Sequence, residues 1–252
     1  MNGRVIFIGA GPGSADLITL RGAQRLALAN VVLFDALTDP ALRAHARQAQ
    51  WLDVGKRGFC KSTGQAAIDA MLVRLARLHA VVVRLKGGDP SVFGRLEEEL
   101  QALAAAGIEC EVVPGVTAAI AAAAVSQRPL TRRGTGRSVS LTTAMNQAGE
   151  LGAGRHADTE VFYMAGRQLG KLGRALKAAG WGDNTPICVV SRAGWPDAVC
   201  SEHSLAELAS ATLLHAGRPT VVTVGAGALP VVKMPMTLKA DPAQTRARVL
   251  AP

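Results

Sequence analysis

The sequence predicts an α/β protein of two domains, and three observations predict it. Short β-branched runs alternate with helical patterns, which signals a mainly parallel sheet with helices on its faces. Loops rich in Gly, Asp, Lys and Arg follow those runs, so polar chemistry collects along one sheet edge. The alternation breaks near residues 114–120 and then resumes as a second α/β series. The expected division is a first domain over 1–116, a second over 117–238 and a polar tail over 239–252.

Taken in order, Val5-Ile-Phe-Ile8 reads as a buried strand, followed by the tight loop Gly9-Ala-Gly-Pro-Gly13 and an amphipathic stretch from Asp16 to Ala29. Strands are expected at Val31 to Phe34, ending at Asp35, and at Trp51 to Val54, ending at Gly55-Lys56-Arg57. Helical patterns from Gln65 to His79 and from Glu97 to Ala106 flank a strand at Val81 to Leu85. Ile108 to Val113 ends at Pro114-Gly115, and Val116 to Ala124 is a small-residue helix suited to close packing. Pro129 to Arg133 marks a break. Strands then follow at Ser138 to Thr143, Glu160 to Met164, Ile187 to Ser191 and Pro219 to Val224, with a glycine-rich loop from Asn146 to Asp158.

Val81 to Arg95, VVVRLKGGDPSVFGR, is the most informative stretch. An apolar run is cut by Gly87-Gly88-Asp89-Pro90, and two glycines let backbone turn sharply and approach a ligand without a Cβ in the way. Asp89 puts a carboxylate at a strand's carboxyl end, where open α/β sheets bind ligands. Arg95 is expected about one turn further along, with Lys56-Arg57 reading by themselves as a solvated loop. GGDP alone would equally be an ordinary βα turn, with Asp89 as its Asx-turn residue. The Gly9 loop is not a dinucleotide fingerprint: Ser14 stands where G-x-G-x-x-G needs its third glycine, and Pro12 removes a backbone donor. A ligand without a phosphate cradle fits that loop better.

Composition narrows the class. The 252 residues are 49% hydrophobic and 19% charged, ample for a real core, and the net charge is +9. Such a charge suits an anionic partner or a soluble basic surface. Aromatics are 4%, with a single Tyr, which argues against the stacking platforms of single-stranded nucleic-acid binders. Cys60, Cys110, Cys188 and Cys200 show no C-x-x-C pairing and no His at ligand spacing, so no metal site is expected. No run approaches the roughly 20 apolar residues of a membrane span, and no secretory signal is seen, so a reduced, cytoplasmic protein is expected.

GAGPG after the first strand, VVLFDAL at 31–37, VGKR at 54–57, RLKGGDPSVFGR at 84–95, VVPGVTAA at 112–119 and VFYMAG at 161–166 come in the order seen in the tetrapyrrole methylases, and the chain resembles that family from about residue 4 to residue 230. The resemblance implies two α/β domains with S-adenosyl-L-methionine in the cleft between them, a homodimer, and a small-molecule tetrapyrrole substrate rather than nucleic acid or membrane. Within the family it points to C-methylation of uroporphyrinogen III, twice, at carbons 2 and 7, giving precorrin-2 for sirohaem, cobalamin or haem d1. It also implies a stand-alone transferase without the dehydrogenase-ferrochelatase module. A basic trough complements a substrate with eight carboxylates. A methylase acting on a later precorrin, an RNA methyltransferase of the same fold, and a non-enzymatic basic nucleic-acid module are the alternatives.

Carried over residue by residue, the resemblance assigns methyl-donor contacts to Pro12, Gly87, Gly88, Asp89, Val92, Thr117, Ala118, Met164 and Ala193. Read without their neighbours, Met164 would be core and Thr117 a helix cap. Asp35 and Lys56 take proton-transfer roles, and Arg95, a poor base, takes substrate binding and electrostatics. Glu97 and Glu99 are expected to complement their helix N-terminus, with Glu98 left open. Departures from the family pattern include Phe34-Asp35 for Tyr-Asp, Leu96-Glu97 for two glycines, Arg132 for His, and Ser191-Arg192-Ala193-Gly194 for Glu-Asn-Gly-Thr. The last puts an Arg where an adenine-side amide is usual.

Overall fold

The structure is a computed structural model and describes residues 2–55, 64–144 and 152–231. The chain divides into two compact units, Met1–Ala118 and Ala119–Pro252.

In the first unit β1 (Arg4–Gly9), β2 (Val31–Phe34), β3 (Gln50–Asp53), β4 (Val81–Lys86) and β5 (Glu109–Val113) form one sheet in the order β3-β2-β4-β1-β5. Every pairing in it is parallel. The alternation of side chains along each strand splits the core into two layers. Val5, Phe7, Val31, Leu33 and Val82 face Ile68, Leu72 and Leu103 of the helices α2 (Gln65–Leu78) and α3 (Leu96–Ala105). Ile6, Ile8, Val32, Val83 and Leu85 face Leu26 and Leu42 on the other side. All ten strand residues are fully buried, as expected for a parallel sheet covered on both faces.

The amphipathic stretch from Asp16 to Ala29 is not one helix. A 3-10 turn at Ala15–Leu17 is followed by α1 (Leu20–Leu26), because Thr19 is extended and its hydroxyl caps the Gly22 amide at 3.0 Å.

The second unit differs from the expected parallel pattern. Its strands β6 (Val139–Thr143), β7 (Thr159–Tyr163), β8 (Pro186–Ser191), β9 (Val199–Ser204) and β10 (Thr220–Gly225) lie in the order β6-β7-β10-β8-β9. Only β6 and β7 pair in parallel; β10 with β7, β10 with β8, and β8 with β9 are antiparallel. Residues 192–198 between β8 and β9 are too few for the crossover a parallel neighbour needs. A single core cluster joins Phe162, Val189 and Val222 of the sheet to Leu169, Leu172 and Leu176 of α5 (Leu169–Ala178). The small-residue helix α4 is found at Ala118–Ser126, about two residues later than its expected span. Among the described residues no helix is long and apolar enough to cross a membrane. The tail over 239–252 and the first part of the 146–158 loop lie outside the described residues.

Candidate functional site

Three strands of the first sheet end against one another through glycine backbone. The Ala10 amide donates to the Lys86 carbonyl at 2.8 Å, and Gly11 and Gly88 exchange both backbone hydrogen bonds, at 3.2 and 2.8 Å. A Cβ on Gly9 would lie 2.6 Å from the Gly115 Cα and 2.7 Å from the Gly88 carbonyl oxygen. One on Gly115 would lie 2.5 Å from that same oxygen. No side chain fits such spacing, so the GAGPG and PGVT loops require glycine at Gly9 and Gly115 for their own packing.

Gly88 differs. Its φ is +73°, and an added Cβ would meet only the Thr117 Cα, at 4.0 Å. Close packing of the protein does not demand glycine there; the left-handed backbone does. Gly87 borders the loop after β2, with the Leu37 Cβ 3.4 Å from where its own Cβ would be. Asp89 accepts from the Ser91 amide at 2.8 Å through Oδ1 and from the Gly115 amide at 2.9 Å through Oδ2. It is therefore an Asx-turn residue that also ties the loop after β4 to the loop after β5. The Val92 amide closes the turn on the Asp89 carbonyl at 3.3 Å. Pro12, Val92, Thr117 and Ala118 are half-buried around this edge, Ala118 opening α4.

Beneath the edge lies a buried set of charges. Glu99 of α3 is fully buried and receives Arg84 Nε at 3.0 Å and Lys86 Nζ at 2.5 Å. Arg84 Nη2 reaches Asp35 Oδ1 at 2.6 Å, and its Nη1 donates to the Leu85 carbonyl at 3.3 Å. Burial and the neighbouring Arg84 guanidinium push the Lys86 amine below the ordinary lysine range. Arg84, although burial opposes it, is raised by Asp35 and Glu99. Asp35, just past β2, keeps 31% side-chain exposure. Glu99 therefore does more than complement a helix N-terminus. A signal was present: two cations in an otherwise apolar strand, VVVRLK, must find partners if buried.

Arg95 is the N-cap residue of α3, in the left-handed conformation at φ 53°, rather than a residue one turn inside the helix. Its guanidinium is exposed and grips Glu98 in two places, at 2.8 and 2.5 Å. Glu98, the residue left open, is thereby held below the ordinary carboxylate range, the hydrogen bond from Arg95 being the main cause. Lys56 lies outside the described residues.

Two assigned residues fall in the second unit, each just past a strand. Met164 follows β7, has φ 58° and is 56% exposed, so it is not core. Ala193 is buried, two residues beyond β8. Arg192, at φ 52°, is turned onto its own loop: its Nε meets Asp197 at 2.8 Å and its guanidinium stacks on Trp195 at 4.6 Å. Strands β7 and β8 both run antiparallel to β10, so these two loops share one sheet edge. The Ala119 amide of α4 donates to the Tyr163 hydroxyl at 3.2 Å beside the Met164 turn. Of five non-glycine residues at positive φ among those described, Phe93, Arg95, Met164 and Arg192 all sit in loops after β4, β7 and β8. Each costs on the order of 1–3 kcal/mol, and such outliers cluster where a ligand is held.

Sequence reasoning missed a polar chain behind the Arg192 loop. Arg218 Nε donates to Ser191 Oγ at 3.1 Å, and Ser191 Oγ shares a hydrogen bond with His215 Nδ1 at 2.9 Å. On the other side of the ring His215 Nε2 meets Ser201 Oγ at 2.8 Å, and Ser201 meets His203 Nε2 at 2.7 Å. His215 is fully buried, and burial, with His203 and Arg218 adding, lowers it to about 4. Nothing local in the sequence around His215 marks it. Among the described residues no group of three or more His, Cys, Asp or Glu could hold a metal ion.

The chain is 39% identical over 250 residues to a uroporphyrinogen-III C-methyltransferase of Pseudomonas aeruginosa, covering 95% of this chain and 100% of that protein. The structure of the uroporphyrin-III C-methyl transferase of Thermus thermophilus complexed with S-adenyl homocysteine superposes with a TM-score of 0.78 at 35% identity, covering 88% of this chain and 97% of that one. A cobalt precorrin-4 methyltransferase superposes with a TM-score of 0.78 at 28% identity, over 90% of this chain and 96% of the other. With residues 4–209 matched by the profile of the Tetrapyrrole (Corrin/Porphyrin) Methylases as well, the chain belongs to that family.

Proposed function

We propose that the protein is an S-adenosyl-L-methionine-dependent C-methyltransferase that methylates uroporphyrinogen III at carbons 2 and 7 to give precorrin-2. The observation that carries this reading is the 39% identity spanning the whole length of the Pseudomonas aeruginosa uroporphyrinogen-III C-methyltransferase. S-adenosylmethionine supplies an electrophilic methyl on a sulfonium, and S-adenosyl-L-homocysteine leaves. In the first unit Pro12, Gly87, Gly88, Asp89, Val92, Thr117 and Ala118 contact this donor, and in the second Met164 and Ala193. The open left-handed position at Gly88 and the strained turns at Met164 and Arg192 support that assignment. Transfer needs an oriented carbon and then loss of a ring proton. Asp35, partly exposed just past β2, suits the acceptor role, Lys56 shares the proton-transfer work by the family resemblance, and Arg95 suits a substrate carboxylate. Asp35→Asn should bind donor normally and slow transfer by about 10² to 10⁴, the usual range for a lost acid–base group.

A homodimer in the cytoplasm completes the proposal, on the family resemblance and on the cysteine spacing. Sedimentation of the purified protein tests the first of these.

The function is tested by incubating the protein with labelled S-adenosylmethionine and, separately, uroporphyrinogen III, a later precorrin and ribosomal RNA. Label is expected in uroporphyrinogen III. Label in either of the others alone would overturn the substrate assignment.

A further inference from the structure

We propose that Glu99 and Arg84 are positioning residues for the reaction: Glu99 aims Arg84, and Arg84 fixes Asp35 as the proton acceptor. The inference rests on the methyl-transfer reading and on Asp35's role in it.

Three observations carry it. First, Glu99 is fully buried, whereas Glu97 and Glu98 of the same helical turn lie at the surface with Gln101 and Arg95 as partners. A buried carboxylate without partners would be strongly destabilising, and Glu99 has two, Arg84 at 3.0 Å and Lys86 at 2.5 Å. Second, guanidinium donors are fixed in one plane. With Nε held by Glu99 and Nη1 by the Leu85 carbonyl, the guanidinium plane is fixed, and within it Nη2 donates to Asp35 Oδ1 at 2.6 Å. Oδ1 is thus committed, and Oδ2 is the oxygen for an incoming proton. Third, the set holds two carboxylates and two cations, Asp35, Glu99, Arg84 and Lys86. Proton uptake by Asp35 removes one negative charge, leaving Glu99 to balance the cations. Like charges close together in a poorly screened site repel strongly, so Glu99 keeps proton arrival at Asp35 from being opposed by two uncompensated cations. Lys86 also joins the set to Gly87-Gly88-Asp89, the next residues in the chain, so the proton acceptor and the donor loop share one support.

The test is a double-mutant cycle. Turnover of uroporphyrinogen III and its pH profile are measured for the parent, Glu99→Gln, Asp35→Asn and the double variant. Glu99→Gln should lower plateau turnover about 10-fold, less than full loss of an acid–base group, and move the acidic limb of the profile to lower pH. In the Asp35→Asn background it should change turnover less than about 2-fold. Arg84→Lys, which keeps the charge but cannot bridge two carboxylates, runs the same cycle should Glu99→Gln not fold, with the same expected loss of effect once Asp35 is gone. An equal penalty in both backgrounds, with an unmoved acidic limb, overturns the proposal and makes the set an ordinary buried ion network. An active parent with an equally active Asp35→Asn overturns it too, while methyl transfer stands. A parent that moves no methyl to uroporphyrinogen III refutes the proposed function itself, and this inference with it.

Discussion

Asp89 Oδ2 accepts the Gly115 amide at 2.9 Å, so one carboxylate links the turn after β4 to the turn after β5. Its other oxygen caps the Ser91 amide at 2.8 Å, and the two loops stay in register at the sheet edge. Removing both bonds with Asp89→Ala should cost about 1–3 kcal/mol, at 0.5–1.5 for each hydrogen bond. Affinity for S-adenosylhomocysteine should fall as well. Chemical denaturation and calorimetry measure the two effects. An unchanged midpoint would show that the link contributes nothing.

Gly88 offers a cleaner probe of ligand approach, since protein atoms leave room for a Cβ there. Gly88→Val introduces a β-branched side chain at φ +73°, which strains the turn, and it projects atoms into the space assigned to the donor. Calorimetry should detect no S-adenosylhomocysteine binding by this variant while its circular dichroism stays that of a folded α/β protein. Wild-type affinity would remove the GGDP turn from the site.

Arg95 begins paired with Glu98 on the surface, and an exposed pair is worth only about 0–1 kcal/mol. The guanidinium can therefore leave Glu98 for a substrate carboxylate at little cost. Arg95→Ala should lower kcat/KM about 10- to 150-fold, the equivalent of one charge-assisted bond of 1.5–3 kcal/mol. Arg95→Lys should recover part of this, because an ammonium attracts a carboxylate but cannot grip it bidentately. Glu98→Gln should leave KM unchanged or lower it. Equal rates for all of these would place the substrate elsewhere.

His215 gives the fold a defined response to acid. Its folded value is lowered to about 4 from the usual 6.5, so between those values the unfolded chain binds the extra proton. The contribution is whole above pH 6.5 and is lost as pH falls toward 4. Thermal melts of the parent and His215→Asn should show a Tm difference that is largest near neutrality and shrinks across this window. A pH-independent difference would mean that His215 does not titrate as described.

Much of the first unit was legible because its signals are local. An apolar strand ended by glycine, then a helical period, repeats there, and the structure returns β2 at Val31–Phe34 and α2 at Gln65–Leu78 close to where the pattern puts them. The second sheet was less legible. Val199–Ser204, VCSEHS, is an edge strand whose Ser, Glu and His residues hide its period, and the reversal of direction at β10 depends on pairings that no local pattern encodes. The same reason explains the site. GGDP and GAGPG announce themselves, since glycine spacing is a local property. Glu99 with Arg84, and His215 with Ser191, are partners across 15 and 24 positions, and burial gives them meaning only after folding.

The central claim, double C-methylation of uroporphyrinogen III, is tested most directly by running the reaction with S-adenosylmethionine carrying a carbon-13 methyl and recording the product's carbon-13 spectrum. Two labelled methyl groups, bonded to ring carbons 2 and 7, are the predicted result. Label on any other ring carbon, or no label in the macrocycle, would contradict the account.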